Sequence, residues 1–83
     1  MKTIVLTLSG AKDLDALSRD ARARVEAGLH RYAMTVQGDV RALQDRDGYR
    51  LRIGSYRVIF DEDATTILAI YIGRPATTMY RRS

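Results

Sequence analysis

Between Tyr49 and Phe60 the chain reads YRLRIGSYRVIF, with apolar residues on every second position either side of a Gly-Ser pair. Such alternation predicts a β-hairpin. Gly54-Ser55 supplies a two-residue turn of the Gly-X kind, a primed turn in which glycine alone enters positive φ cheaply. The register follows from the turn: Ile53 opposite Tyr56, Arg52 opposite Arg57, Leu51 opposite Val58, and Arg50 opposite Ile59. Tyr49, Leu51, Ile53, Tyr56, Val58 and Phe60 then form an apolar face suited to a core, while Arg50, Arg52 and Arg57 collect on the other. Like charges directly across a ladder cost up to roughly 1 kcal/mol, so Arg52 facing Arg57 points to an anionic ligand, phosphate above all.

The remaining pattern supplies the frame. Lys2 to Leu8 alternates Thr3, Val5 and Thr7 with Ile4, Leu6 and Leu8, a first strand rich in β-branched residues. Ser9 reads as the N-cap of a short helix with Ala11, Leu14, Ala16 and Leu17 on its apolar side, ending near Ser18. Asp20 reads as the cap of a second helix, in which Ala21, Val25, Gly28, Leu29 and Tyr32 recur at helical spacing. After a break at Gly38-Asp39, Val40 to Leu43 reads as a short extended piece and Asp45 to Gly48 as a polar turn. Asp61 to Ala64 forms the next turn, and Thr65 to Ile72, apolar on both faces, reads as an interior strand ended by Gly73.

The predicted fold class is therefore α+β, with the order β-α-α-β-β-β. A helical hairpin packs on one face of a small, mainly antiparallel, twisted sheet, leaving the arginine face uncovered. Residues 1–83 form a single domain, because a chain of 83 residues has no room for a second. The core is small enough that stability can lean on a partner.

Composition narrows the chemistry. There is no cysteine, so thiol nucleophiles, thiolate metal sites and disulfides are excluded, as suits a reducing cytoplasm. No apolar run approaches the ~18 residues of a membrane span, and MKTIVLTLSG lacks a signal-peptide pattern, which predicts a soluble cytoplasmic protein without a membrane partner. The net charge is +4, and of 14 basic residues only Lys2 and Lys12 are lysines. Guanidinium matches phosphate bidentately, so the bias fits a polyanionic partner, although arginine-rich codon usage accounts equally well for those on the helices.

In YRLRIGSYRVIF, together with the strand and helical hairpin of IVLTLSGAKDLDALSRDARARV, the chain resembles toxins of the RelE/ParE superfamily from type II toxin-antitoxin modules. The resemblance covers nearly the whole chain and implies a toxin whose cognate antitoxin wraps it with a flexible segment and binds operator DNA through a separate domain. For the RelE-like branch it implies a metal-independent, cofactor-free endoribonuclease that cuts mRNA in the ribosomal A site and so inhibits translation. On that reading Arg52, Arg57, Arg74 and Tyr80 are the catalytic residues, and Arg50, Arg81 and Arg82 bind RNA phosphate. Arg74 and Tyr80 would form a second wall facing the hairpin arginines. Two departures stand out: relatives usually carry lysine at the place of Arg50 or Arg52, and many have a His-Arg or Lys-Arg pair where this chain has Gly73-Arg74-Pro75. Both remove proton carriers, since arginine stays protonated up to pH ~12, leaving Tyr80 as the candidate base or a stacking platform.

The ParE-like alternative is a DNA gyrase inhibitor without nuclease activity, and a third is an inactive relative serving in a repressor complex. Tyr49, Tyr56 and Tyr71 read as packing residues, His30 as a surface residue on the second helix, and Asp61, Glu62 and Asp63 as a solvated turn rather than metal ligands.

Overall fold

In the computed structural model of the chain, residues 1–74 are described. Strand β1 (Thr3–Leu6) is followed by helices α1 (Leu8–Ala16) and α2 (Arg19–Thr35). Four strands complete the fold: β2 (Asp39–Ala42), β3 (Tyr49–Ile53), β4 (Tyr56–Glu62) and β5 (Thr66–Gly73). They form one five-stranded sheet in the order β1-β5-β4-β3-β2, antiparallel except for the parallel β1–β5 pair. The α+β class and the helical hairpin on one face stand as predicted. The sheet has one more strand than the predicted order, because the extended piece after α2 pairs fully with β3, Val40 opposite Leu51 and Arg41 opposite Arg50.

The hairpin forms in the predicted register, from Tyr49 opposite Phe60 to Ile53 opposite Tyr56. Gly54 sits at φ +60° and Ser55 keeps an ordinary negative φ, the signature of a type II′ turn. On the helix side, Leu51, Val58 and Phe60 join Ile67, Ala69 and Ile72 of β5 beneath Leu14 of α1 and Val25, Leu29 and Tyr32 of α2. Phe60 is fully buried and meets the ring of Tyr32 edge-on at 5.5 Å and that of Tyr49 at 5.6 Å.

Helix α1 starts earlier than expected. Its N-cap is Thr7, not Ser9: the Thr7 hydroxyl accepts from Gly10 N–H at 3.0 Å and lies within donating distance of the Ala69 and Ile70 carbonyls at 3.3 and 3.2 Å. One residue thus closes β1, begins α1 and occupies the β5 edge that β1 no longer covers. Leu8, which continued the strand alternation in sequence, is consequently exposed. Asp13 seals the same edge by accepting from Ile72 N–H at 3.1 Å. Helix α2 is capped by Ser18, whose hydroxyl accepts from Ala21 N–H, and Asp20 lies in its first turn, where a carboxylate favours the positive end of the helix.

Residues Asp61, Glu62 and Asp63 are not one solvated face. Asp61 is exposed on the sheet, Asp63 caps the β4–β5 turn by accepting from Thr65 and Thr66 N–H, and Glu62 turns under the helices. There Glu62 pairs with Lys2 Nζ at 2.9 Å and accepts from the Tyr32 hydroxyl at 3.0 Å, tying the N-terminus and α2 to β4. Strand alternation through β4 places Glu62 on the core side with Val58 and Phe60, a consequence the turn assignment concealed.

Two predictions concern this frame. Burial, reinforced by the bond to Glu62, pushes the Tyr32 hydroxyl from 10.0 to about 12. The folded state therefore holds this proton more tightly than the unfolded chain, giving stability that is complete below pH 10 and lost as pH rises to about 12. Urea unfolding should show the advantage of wild type over Tyr32→Phe narrowing across that interval; a constant difference would refute the coupling. At the C-terminus of α2, exposed Val36 adopts φ 56°, a left-handed conformation that a β-branched residue enters at a cost. Val36→Asn should raise the unfolding free energy by about 1 kcal/mol in the same assay.

Candidate functional site

Because β3 and β4 bury their apolar positions under the helices, their remaining side chains stand on the opposite face of the sheet. Register lays these out in rows. One row runs Asp39, Arg52, Arg57, Gly73 from β2 to β5, and the next runs Arg41, Arg50, Ile59, Tyr71. Four guanidinium groups therefore share two adjacent rows, with Arg52 directly opposite Arg57 and Arg41 directly opposite Arg50. Among the described residues no helix covers this face, and Ile70 and Tyr71 are 37% and 39% exposed.

Two concavities interrupt the arginine surface. At the hairpin end, a cleft of about 220 Å³ is lined by Arg52, Gly54, Ser55, Tyr56 and Arg57. Along the β2–β3 edge, a hollow of about 520 Å³ is lined by Arg41, Ala42, Leu43, Gln44, Asp45 and Arg50. Arg74 follows β5, and its guanidinium lies 5.4 Å from the centroid of the Tyr56 ring, a cation–π contact. Tyr56 alternates onto the core side with Val58 and Phe60, so this contact sets Arg74 beside a core-side ring and not among the outward-facing Arg52 and Arg57.

The structure thus assembles Arg50, Arg52 and Arg57 on one face, whereas Arg74 lies against Tyr56, whose ring packs on the core side, and does not form a wall facing them. Tyr80, Arg81 and Arg82 lie outside the described residues. Tyr49 and Tyr56 are half-buried and pack against the core as expected, and His30 is exposed on α2. The predicted view of β5 as buried on both faces requires correction: Ile67, Ala69 and Ile72 are buried under the helices, while Ile70 and Tyr71 face outward. A register shift after Ile59, which takes the partner from Tyr71 to Ala69, leaves Ile70 as an extra residue in a β-bulge.

Two members of the face escaped the sequence reading. Arg41 was findable, because Val40 points inward and alternation then sends Arg41 outward beside Arg50. Tyr71 was not. With Ile67 and Ala69 buried, regular alternation would bury Tyr71, and only the bulge reverses it.

Electrostatically, the face is concentrated positive charge with Asp39 at the end of one row. It is suited to binding a polyanion and neutralising charge that develops on phosphate oxygens. Among the described residues no group of three or more His, Asp or Glu side chains gathers to hold a metal ion, and no helix is long and apolar enough to cross a membrane.

No family model matches the chain, and no curated protein matches it in sequence. Solved structures do match. A chain of the RelE–RelB complex from Pyrococcus horikoshii OT3 superposes with a TM-score of 0.74 at 20% identity, covering 90% of this chain and 96% of that one. The toxin-antitoxin complex RelBE2 from Mycobacterium tuberculosis gives 0.72 at 23% identity, covering 88% and 96%. The intact RelBE toxin-antitoxin complex of E. coli gives 0.71 at 15% identity, covering 89% and 96%. The fold is RelE-like. In this chain the Tyr49–Phe60 hairpin forms the β3–β4 pair, and the arginine rows stand on the surface opposite the helices.

The charge pattern itself can be tested. Replacing one member of a directly opposed like-charged pair should relieve repulsion, so Arg41→Glu should raise the unfolding free energy by about 0.5 to 1 kcal/mol at low ionic strength. The gain should shrink as salt screens the pair. Urea titrations at low and high salt measure both; lower stability in the variant at low salt would refute the repulsive pairing.

Proposed function

We propose that the chain is the toxin of a type II toxin-antitoxin system and acts as an mRNA endoribonuclease in the ribosomal A site, inhibiting translation in the cytoplasm. The observation that carries this reading is the four-arginine face on a RelE-like fold, uncovered by any helix among the described residues, with two pairs of guanidinium groups on directly opposed positions. A sheet that accepts this repulsion gains from binding closely spaced phosphates. The partners on this reading are mRNA on the ribosome and a cognate antitoxin that supplies acidic or apolar groups over the same face and reaches operator DNA through its own domain.

The chemistry draws on RNA's own nucleophile. The 2′-hydroxyl attacks the adjacent phosphorus, the bond to the 5′-oxygen of the next nucleotide breaks, and a 2′,3′-cyclic phosphate and a 5′-hydroxyl result. The 2′-oxygen gives up its proton to the base, and water supplies one to the departing 5′-oxygen. Arg52 and Arg57 clamp the non-bridging oxygens, where negative charge accumulates; a well-placed donor of this kind is worth about 3 to 4 kcal/mol. Arg74 stabilises the leaving oxygen. Arg50, with Arg81 and Arg82, holds neighbouring phosphates, and Tyr80 serves as the base for the 2′-hydroxyl. With arginine unable to exchange protons near neutrality, the site relies on the ribosome to splay and align its substrate.

Expression of the chain alone should arrest growth with protein synthesis stopping first, and mapped RNA 5′ ends should fall within translated codons. Arg57→Ala and Tyr80→Phe should each abolish toxicity while retaining the wild-type circular dichroism spectrum and antitoxin binding. Replication arrest with a DNA damage response ahead of any effect on translation would overturn the ribonuclease reading in favour of a gyrase inhibitor.

A further inference from the structure

Tyr71 stands on the arginine face, opposite Ile59 and one row from Arg57. Its side chain does not stand upright. A β-carbon built on Gly73 would come within 2.5 Å of the Tyr71 hydroxyl oxygen and 2.9 Å of the ring carbon that bears it. The phenol therefore lies down along β5, its polar end in the place a side chain at residue 73 would occupy. Gly73 is the direct cross-strand partner of Arg57. The hydroxyl thus enters the row Asp39, Arg52, Arg57, Gly73 although its own residue belongs to the next one.

Three features make this placement chemically useful. The ring is 39% exposed, so a ligand on the open face can reach it. Positions directly opposed across a ladder have β-carbons about 5 Å apart, which puts the hydroxyl in the immediate neighbourhood of the Arg57 side chain. A phenol is also the kind of donor the arginines cannot replace: one neutral O–H with a second role as acceptor.

Resting on the ribonuclease reading, we infer that Tyr71 is an RNA-contacting residue whose hydroxyl donates a hydrogen bond to the phosphate bound by Arg57, with Gly73 retained small so that the phenol can lie beside it. Hydrogen bonds to charged groups contribute enough that losing this one should weaken RNA binding about tenfold. The ring alone would stack on an unpaired base instead, and the phenylalanine variant separates the two roles.

The test uses the purified full-length chain and a single-stranded oligoribonucleotide with 2′-O-methyl groups, which binds but cannot be cut because the nucleophile is blocked. Wild type, Tyr71→Phe, Tyr71→Ala, Gly73→Ala and Arg57→Ala are titrated by fluorescence anisotropy, with urea unfolding as the fold control. Tyr71→Phe should lose about tenfold in affinity at unchanged stability. Gly73→Ala, which keeps the hydroxyl but displaces it, should lose a similar factor. If Tyr71→Phe binds as wild type while Tyr71→Ala is weakened, the ring and not the hydroxyl makes the contact and the inference is overturned. If Arg57→Ala weakens binding but Tyr71→Phe and Gly73→Ala do not, the inference fails while the nucleic-acid reading stands. If Arg57→Ala also binds as wild type, both fall together.

Discussion

Side-chain parity in β4 is the constraint on which the rest of the molecule depends. This strand lies at the centre of the sheet, between β3 and β5, and its alternation decides what reaches each face. The type II′ turn at Gly54-Ser55 locks β3 to it in a single register, so Leu51, Val58 and Phe60 enter the core together. A slip of one residue would bring Arg50, Arg52 and Arg57 under the helices, where unpaired charge costs many kcal/mol. The core and the arginine face are therefore one decision. Whatever stabilises the register also fixes the cationic surface, and the repulsion within that surface is small beside the burial that enforces it.

The same parity organises the polar contacts on the core side. Glu62 points inward because it follows Val58 and Phe60 at even spacing, and it meets Lys2 from the N-terminus and Tyr32 from α2. A half-buried carboxylate beside the core gains from such partners, and in gaining them it joins three distant parts of the chain. At the other sheet edge Thr7 and Asp13 serve the exposed edge of β5 where β1 ends. Both arrangements hold the helices in place over one face of the sheet.

What was legible in sequence was what obeys a period. YRLRIGSYRVIF carried turn, register and arginine face without ambiguity because glycine and alternation agree there. The α2 stripe of Ala21, Val25, Leu29 and Tyr32 was equally plain. Boundaries were harder: Thr7 took the cap from Ser9 because a tertiary bond to the Ala69 carbonyl rewarded it, and no local pattern contains that bond. Glu62 was hidden inside an acidic run that looked solvated. Tyr71 depended on a bulge at Ile70, an irregularity that breaks the period on which the reading rested.

That bulge alters the chemistry available to the open face. Without it, regular alternation would turn Tyr71 toward the core and leave Leu68, Ile70 and Ile72 as the β5 side chains on the arginine face. Charge stabilisation and proton transfer are separable parts of a cleavage reaction, and each is worth roughly two to four powers of ten. A face of arginines can supply the first part alone. It then suits a substrate whose geometry is imposed from outside, since alignment can replace a large share of the barrier reduction that a general base would bring. A phenol laid across Gly73 adds a neutral hydroxyl beside that charge, so the irregular strand contributes a functional group that the arginine rows themselves lack.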